Sequence, residues 1–168
     1  MRETDPSRAV YLGLKRAGIN FAASVPCVNL GPLLRMVTSD EEIIHIPVTR
    51  EEEGVGICAG AWMGGKSPAL IMQNSGLGNS INALASLDFL YEIPLLMVVS
   101  HRGCAGETIV GQVPMGVLTP VLLEAMKIQS YAPHPMEAES VIAEAWRAAE
   151  DQGRPAAVLL DLRFWRGA

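Results

Sequence analysis

The chain has 168 residues, of which 49% are apolar and 18% charged, enough for one domain with a substantial core. Its net charge is −5 and its pI about 5.2, with no basic cluster larger than a pair, which argues against nucleic-acid binding through a basic footprint. Cys27, Cys58 and Cys104 share no metal or redox spacing, the start "MRETDPSRAV" lacks a signal peptide's apolar core, and the run "IPLLMVV" is too short to span a bilayer; the expectation is a soluble cytoplasmic chain.

The first helix is expected over 5–18, with Val10, Leu14 and Ala17 inward and Gly18 as its stop. "INFAASVP" reads as a strand and "LGPLLRMVTS" as a short helix, most simply capped by Asn29. The strand "EIIHIPV" leads into the helix "EEGVGICAGAWMGG". "PALIMQNS" is the next strand, with a helix "NSINALASLDFLYE" starting just past the turn "SGLG". After the strand "IPLLMVVS" comes an irregular stretch, 101–114, then a helix "GVLTPVLLEAMK" and a weak strand "IQSYAP". The helix "MEAESVIAEAWRAAEDQG" should turn Val141, Ala145 and Ala148 inward, and "RPAAVLLDL" is the last strand.

Six β/α alternations with near-continuous apolar strands imply an α/β fold: one doubly wound domain over 1–168, with a six-stranded, mainly parallel sheet covered on both faces. Ligands in such folds sit beyond the carboxyl ends of the strands. Here those ends are "SVPCVN", "PVTREE", "QNSGLG" and "VSHRGCAG".

Each end carries candidates. Three consecutive glutamates, Glu51 to Glu53, open a helix in which Gly54, Cys58, Ala61 and Gly65 form a small-residue stripe. Thr49 to Glu52 fits a capping box. The stripe points instead to a close contact with another backbone, chain or flat ligand, beside which a desolvated Glu52 would have a raised pKa and hold or pass a proton. The turn before Asn79 offers free helix amides, with Asn74 and Ser75 at the strand tip, or it is a tight turn capped by Asn79. Cys27 is a thiol at a strand tip, or a small packing residue. His101 and Arg102 leave the fourth strand as a proton donor and an anion clamp, or as solvated rim residues. His45 lies mid-strand and His134 lies between prolines.

Taken together, "SVPCVNL", "REEEGVGICAGAW", "MQNSGLGNSINALASL" and "PMG" resemble the pyrimidine-binding domain of thiamine-diphosphate enzymes. Within that superfamily they are most similar to the alpha subunits of sulfopyruvate decarboxylases, with phosphonopyruvate decarboxylase as the close relative. The resemblance implies a carboxy-lyase that converts 3-sulfopyruvate to sulfoacetaldehyde and CO2, a step of coenzyme M biosynthesis. It puts Glu52 in the place of the glutamate that hydrogen-bonds the aminopyrimidine and activates the cofactor, with Glu51 and Glu53 as flank or cap. It puts Pro26, Cys27, Val28, Asn74, Ser75, Gly76, Leu77, Gly78 and Asn79 on the pyrimidine side. His101 then becomes a catalytic candidate, with Asn29, His101, Arg102 and Gln112 toward the substrate. The family's Gly-Asp-Gly motif for the diphosphate and Mg²⁺ does not occur in the sequence. The implied partner is therefore a beta subunit that holds most of the Mg²⁺ and diphosphate, across an interface containing the small-residue stripe.

Overall fold

The computed structural model describes residues 5–166. Helix α1 (Pro6–Arg16) starts at Asp5, whose carboxylate accepts from the amides of Ser7 and Arg8, and stops before Gly18 at φ 74°. Strand β1 (Phe21–Ser24) is followed by a 3-10 turn, Val28–Leu30, that runs into α2 (Gly31–Thr38). Asn29 lies inside that turn and makes no cap. Strand β2 (Ile44–Pro47), α3 (Glu51–Met63), β3 (Pro68–Gln73) and α4 (Ser75–Ala83) come next. Helix α4 is thus four residues longer at its start than expected: "SGLG" forms its first turn rather than a loop before it. A π-helical turn, Leu84–Asp88, closes it.

Beyond β4 (Leu95–Ser100) the irregular stretch is shorter than expected, ending in a 3-10 turn at Val110–Gln112 and α5 (Val113–Ala125). Strand β5 (Gln129–Tyr131), α6 (Ala138–Gln152), β6 (Pro155–Leu160) and a short α7 (Leu162–Arg166), which the sequence pattern did not suggest, complete the described residues. Helix α6 is rotated from its expected phase: Ile142, Ala145, Trp146 and Ala149 are buried, while Val141 and Ala148 are only half-buried. Trp146 drives the rotation, because it has the most apolar area to bury and meets Trp62 edge-on at 6.0 Å.

The six strands form one wholly parallel sheet in the order β2-β1-β3-β4-β6-β5. Side chains alternate strictly. Ala69, Ile71, Leu96 and Val98 pack under α1, α2 and α6, while Leu70, Met72, Met97 and Val99 pack under α3, α4 and α5. A strand buried on both faces needs apolar residues at every position, which is why β3, β4 and β6 read as unbroken runs.

The small-residue stripe of α3 faces inward. A Cβ on Gly54 would stand 2.6 Å from Leu70 Cδ1, and Cys58 is buried with its thiol directed at the Ala69 carbonyl. The close contact the stripe serves is with the sheet, not with a second chain, and Gly65 already lies past the helix end at φ 81°. The outward face of α3 is a different set: Gly56, Ile57, Gly60 and Met63 are exposed, with open space around both glycines.

Candidate active site

Winding outward from β1, the chain places β2 on one side and β3 on the other, so the strand order reverses between β1 and β3. A crevice for a ligand opens at the carboxyl end of such a reversal. Cys27 stands there, with its thiol 3.4 Å from Gln73 Oε1 and 3.7 Å from Ser100 Oγ. Asn29 donates to the same Ser100 hydroxyl at 3.3 Å. The Gln73 amide donates to Ser75 Oγ and to Gln112 Oε1, each at 3.0 Å. One polar network therefore joins the tips of β1, β3 and β4 to the loop ahead of α5. Pro26 and Val28 flank it, Val28 standing 88% exposed.

The three glutamates face three ways because a helix turns each successive residue by about 100°. Glu51 is buried: its Oε2 accepts from Asn79 Nδ2 at 3.1 Å, and it lies directly against the Cα of Gly76. Glu53 is the cap, with Oε2 accepting from the amides of Thr49 and Arg50 and from the Thr49 hydroxyl. The capping role considered for Glu52 thus belongs to its neighbour.

Glu52 pairs with Arg50 through Oε1, while its Oε2 is sealed from solvent and has no partner. Its own amide at the helix start and the Arg50 guanidinium hold its carboxyl below the ordinary range, the reverse of the rise expected from desolvation. In this chain the group is an ionised carboxylate in the first turn of α3, with one oxygen sealed and the side chain as a whole 31% exposed.

The loop after β4 is held from within and from below. Arg102 lies over Glu107 in a two-pronged ion pair at 2.7 and 2.9 Å, and the amides of Gly103, Thr108 and Ile109 donate to the same carboxylate. The Glu107 side chain is 2% exposed, and the guanidinium depresses its pKa strongly. The charge of Arg102 is thereby matched, so it is not the free anion clamp that the sequence suggested. His101 donates Nε2–H to the Gly116 carbonyl at 3.0 Å. It lines a separate cavity of about 560 Å³ with Cys104, His134, Asp161, Arg163 and Phe164. The structure does not bring it together with Cys27, Gln73 and Gln112.

Two further expectations change. Asn74 is fully buried and Leu77 points into the core, so neither side chain faces the crevice. Asn79 is neither a cap nor free, because its amide is engaged by Glu51. Gly76 is buried, and Gly78 is exposed with a Cβ position 3.6 Å from Met115. Sequence reasoning passed over Gln73, Ser100, Glu107 and Thr119. The first two were visible as polar residues ending otherwise apolar strands; nothing local marked the other two. Among the described residues no group of three or more His, Cys, Asp or Glu is placed to hold a metal ion, and no helix is long and apolar enough to cross a membrane.

The family described as "Thiamine pyrophosphate enzyme, N-terminal TPP binding domain" matches residues 5–118. The sulfopyruvate decarboxylase subunit alpha of Methanothermobacter thermautotrophicus is 53% identical over 164 residues, 97% of this chain and 99% of that one. The chain belongs to the sulfopyruvate decarboxylase alpha-subunit family. Another member of the sulfopyruvate decarboxylases, from Methanosarcina acetivorans, is 36% identical across all of this chain, which there corresponds to 43% of a longer polypeptide. The fold itself recurs in a 2-oxoglutarate:ferredoxin oxidoreductase from Magnetococcus marinus, with a TM-score of 0.74 at 18% identity over 94% of this chain and 28% of that one.

Proposed function

We propose that this chain is the pyrimidine-side subunit of a thiamine-diphosphate-dependent decarboxylase acting on 3-sulfopyruvate in the cytoplasm, completed by a beta subunit that holds the diphosphate and Mg²⁺. The observation that carries the reading is Glu52. Of three adjacent glutamates, it alone is not engaged in capping or in tying α3 to α4, and it keeps a sealed, unpartnered oxygen. A buried acceptor without a donor is costly, and a ring N–H of the aminopyrimidine suits it.

Bound thiamine diphosphate supplies the electron sink for breaking the bond to the departing carboxylate. The chain's own part is to bind and orient. Glu52, ionised by its amide and Arg50, accepts the ring hydrogen bond; docking of the partner would cover the part of its side chain still open to water and strengthen that bond. Pro26, Cys27 and Val28 wall the crevice, and the amides of Ser75 and Gly76 open α4 with no intrahelical partner, that of Leu77 being taken up by the Asn74 carbonyl. Gln73 and Gln112 present neutral amides toward the substrate side, while Arg102 is already matched by Glu107. That weak positive field favours a sulfonate, with one charge, over a phosphonate with two. The exposed Gly56, Ile57, Gly60 and Met63 face of α3 supports a partner surface there, since exposed helix glycines cost about 1 kcal/mol each and none of the described residues approaches these two.

The test is CO2 release from sulfopyruvate by the chain mixed with its candidate beta subunit, thiamine diphosphate and Mg²⁺. Activity only in the mixture, lost on the order of 10²-fold or more in Glu52→Gln, is the expected result. Retention of activity in Glu52→Gln would make the subunit a non-catalytic partner, and preference for phosphonopyruvate would change the substrate.

A further inference from the structure

We infer that Asn74 is a positioning residue that builds the substrate-side loop 101–112, rather than a contact to the cofactor. This rests on the reading of the site given above. Asn74 is fully buried, one residue past the last β3–β4 pair, Gln73 with Ser100. Its backbone amide still donates to the Ser100 carbonyl at 3.1 Å, continuing the ladder by one step.

Its side chain then takes over the ladder. Asn74 Oδ1 accepts from the Arg102 amide at 3.0 Å, and Nδ2 donates to the Arg102 carbonyl at 3.1 Å. A side-chain amide thus presents one acceptor and one donor to a single residue, as a neighbouring strand would. The second Nδ2 hydrogen goes to Thr119 Oγ1 at 3.0 Å, whose own hydroxyl donates to the Met115 carbonyl. Every polar capacity of a fully buried amide except one lone pair is engaged, and each bond leads to the loop or to α5.

Two glycines complete the brace. A Cβ on Gly103 would overlap the Gln112 carbonyl and approach Gly116 Cα at 2.9 Å, and a Cβ on Gly116 would overlap the Gly103 backbone. The two ends of the loop therefore touch backbone to backbone, with Gly103 at φ 81°. Gln112 closes the ring by its bond to Gln73. The loop is a preformed wall, and Asn74 sets where its Gln112 amide stands. Loss of the brace should weaken substrate handling and leave cofactor binding alone.

The experiment uses the chain and its complex with the beta subunit, comparing Asn74→Ala, Thr119→Val and Thr119→Ser. Hydrogen exchange of the chain should show the amides of Arg102, Gly103 and Gln112 exchanging about tenfold faster or more in Asn74→Ala and Thr119→Val, with Thr119→Ser close to wild type. In the complex, KM for sulfopyruvate should rise about tenfold or more while thiamine diphosphate affinity stays within twofold. Unchanged loop exchange, or cofactor affinity falling in step with KM, would overturn the assignment. If the wild-type complex decarboxylates no 2-oxo acid, the functional reading falls and the exchange data alone decide the brace. Thr119→Val keeps the outcome decisive where Asn74→Ala fails to fold.

Discussion

Asp88 offers the sharpest physical test of the fold. It ends the π-helical turn after α4, is fully buried, and among the described residues has no hydrogen-bond partner for either carboxylate oxygen. Burial raises its pKa from 3.8 to about 7. A raised folded-state pKa means that the native state holds the proton more tightly than the unfolded chain. Stability from this group is therefore intact below pH 3.8, falls through the interval up to about pH 7, and is fully lost above it. At about 1.4 kcal/mol per pH unit, the loss reaches up to about 4 kcal/mol.

Asn is the neutral isostere of the protonated acid. Asp88→Asn should therefore match the parent near pH 4, exceed its stability progressively up to about pH 7, and hold a level advantage at pH 8. Urea unfolding of the chain, followed by tryptophan fluorescence at pH 4, 5, 6, 7 and 8, measures the difference between the two proteins. The nearby Cys58 thiol, which burial pushes up to about 12, stays neutral throughout and does not contribute. A stability difference that is flat across this range would refute the claim that the carboxyl is dry and unpaired.

Three more expectations follow from close contacts or their absence. Gly76→Ala puts a Cβ 2.5 Å from Cδ of Glu51, so it should cost about 1–3 kcal/mol in unfolding free energy and reduce decarboxylation by displacing the α3–α4 junction. Glu53→Ala removes the cap over Thr49 and Arg50, which should lower unfolding free energy by roughly 1 kcal/mol, leaving the assembled enzyme's activity within a few-fold of wild type. Gly60→Leu enters open space and improves helix propensity, so the isolated chain should melt no lower. Sedimentation should nevertheless show its assembly with the beta subunit weakened.

The alternation of strands and helices was legible because a parallel sheet covered on both faces demands unbroken apolar runs, and β3, β4 and β6 have them. The start of α4 was not, since Ser-Gly-Leu-Gly has the composition of a turn. Its glycine is needed there for proximity: Gly76 makes room for Glu51. The phase of α6 failed because a count of apolar positions weighs Ala148 and Trp146 alike, whereas burial area does not. Within the glutamate run, local chemistry left the cap, the buried carboxylate and the one paired with Arg50 interchangeable. Only the way α3 sits on Ala23, Val48 and Leu70 separates Glu51, Glu52 and Glu53. The roles of Asn74 and Glu107 depend on partners 28 and 5 residues away, the first beyond any local pattern and the second inside an irregular loop.

The place of β6 has a consequence for how the chain reaches this state. It is laid between β4 and β5, both earlier in sequence, and among the described residues β5 pairs with no other strand. Until residues 155–160 dock, β4 presents an open edge of six residues that end up buried, a template for pairing with another unfinished copy. The strand that completes the sheet is thus also its guard against self-association. Substitutions that slow its docking, such as bulky residues at Ala156 or Ala157, should appear as aggregation during refolding at high concentration, while the fraction that stays dispersed keeps full specific activity.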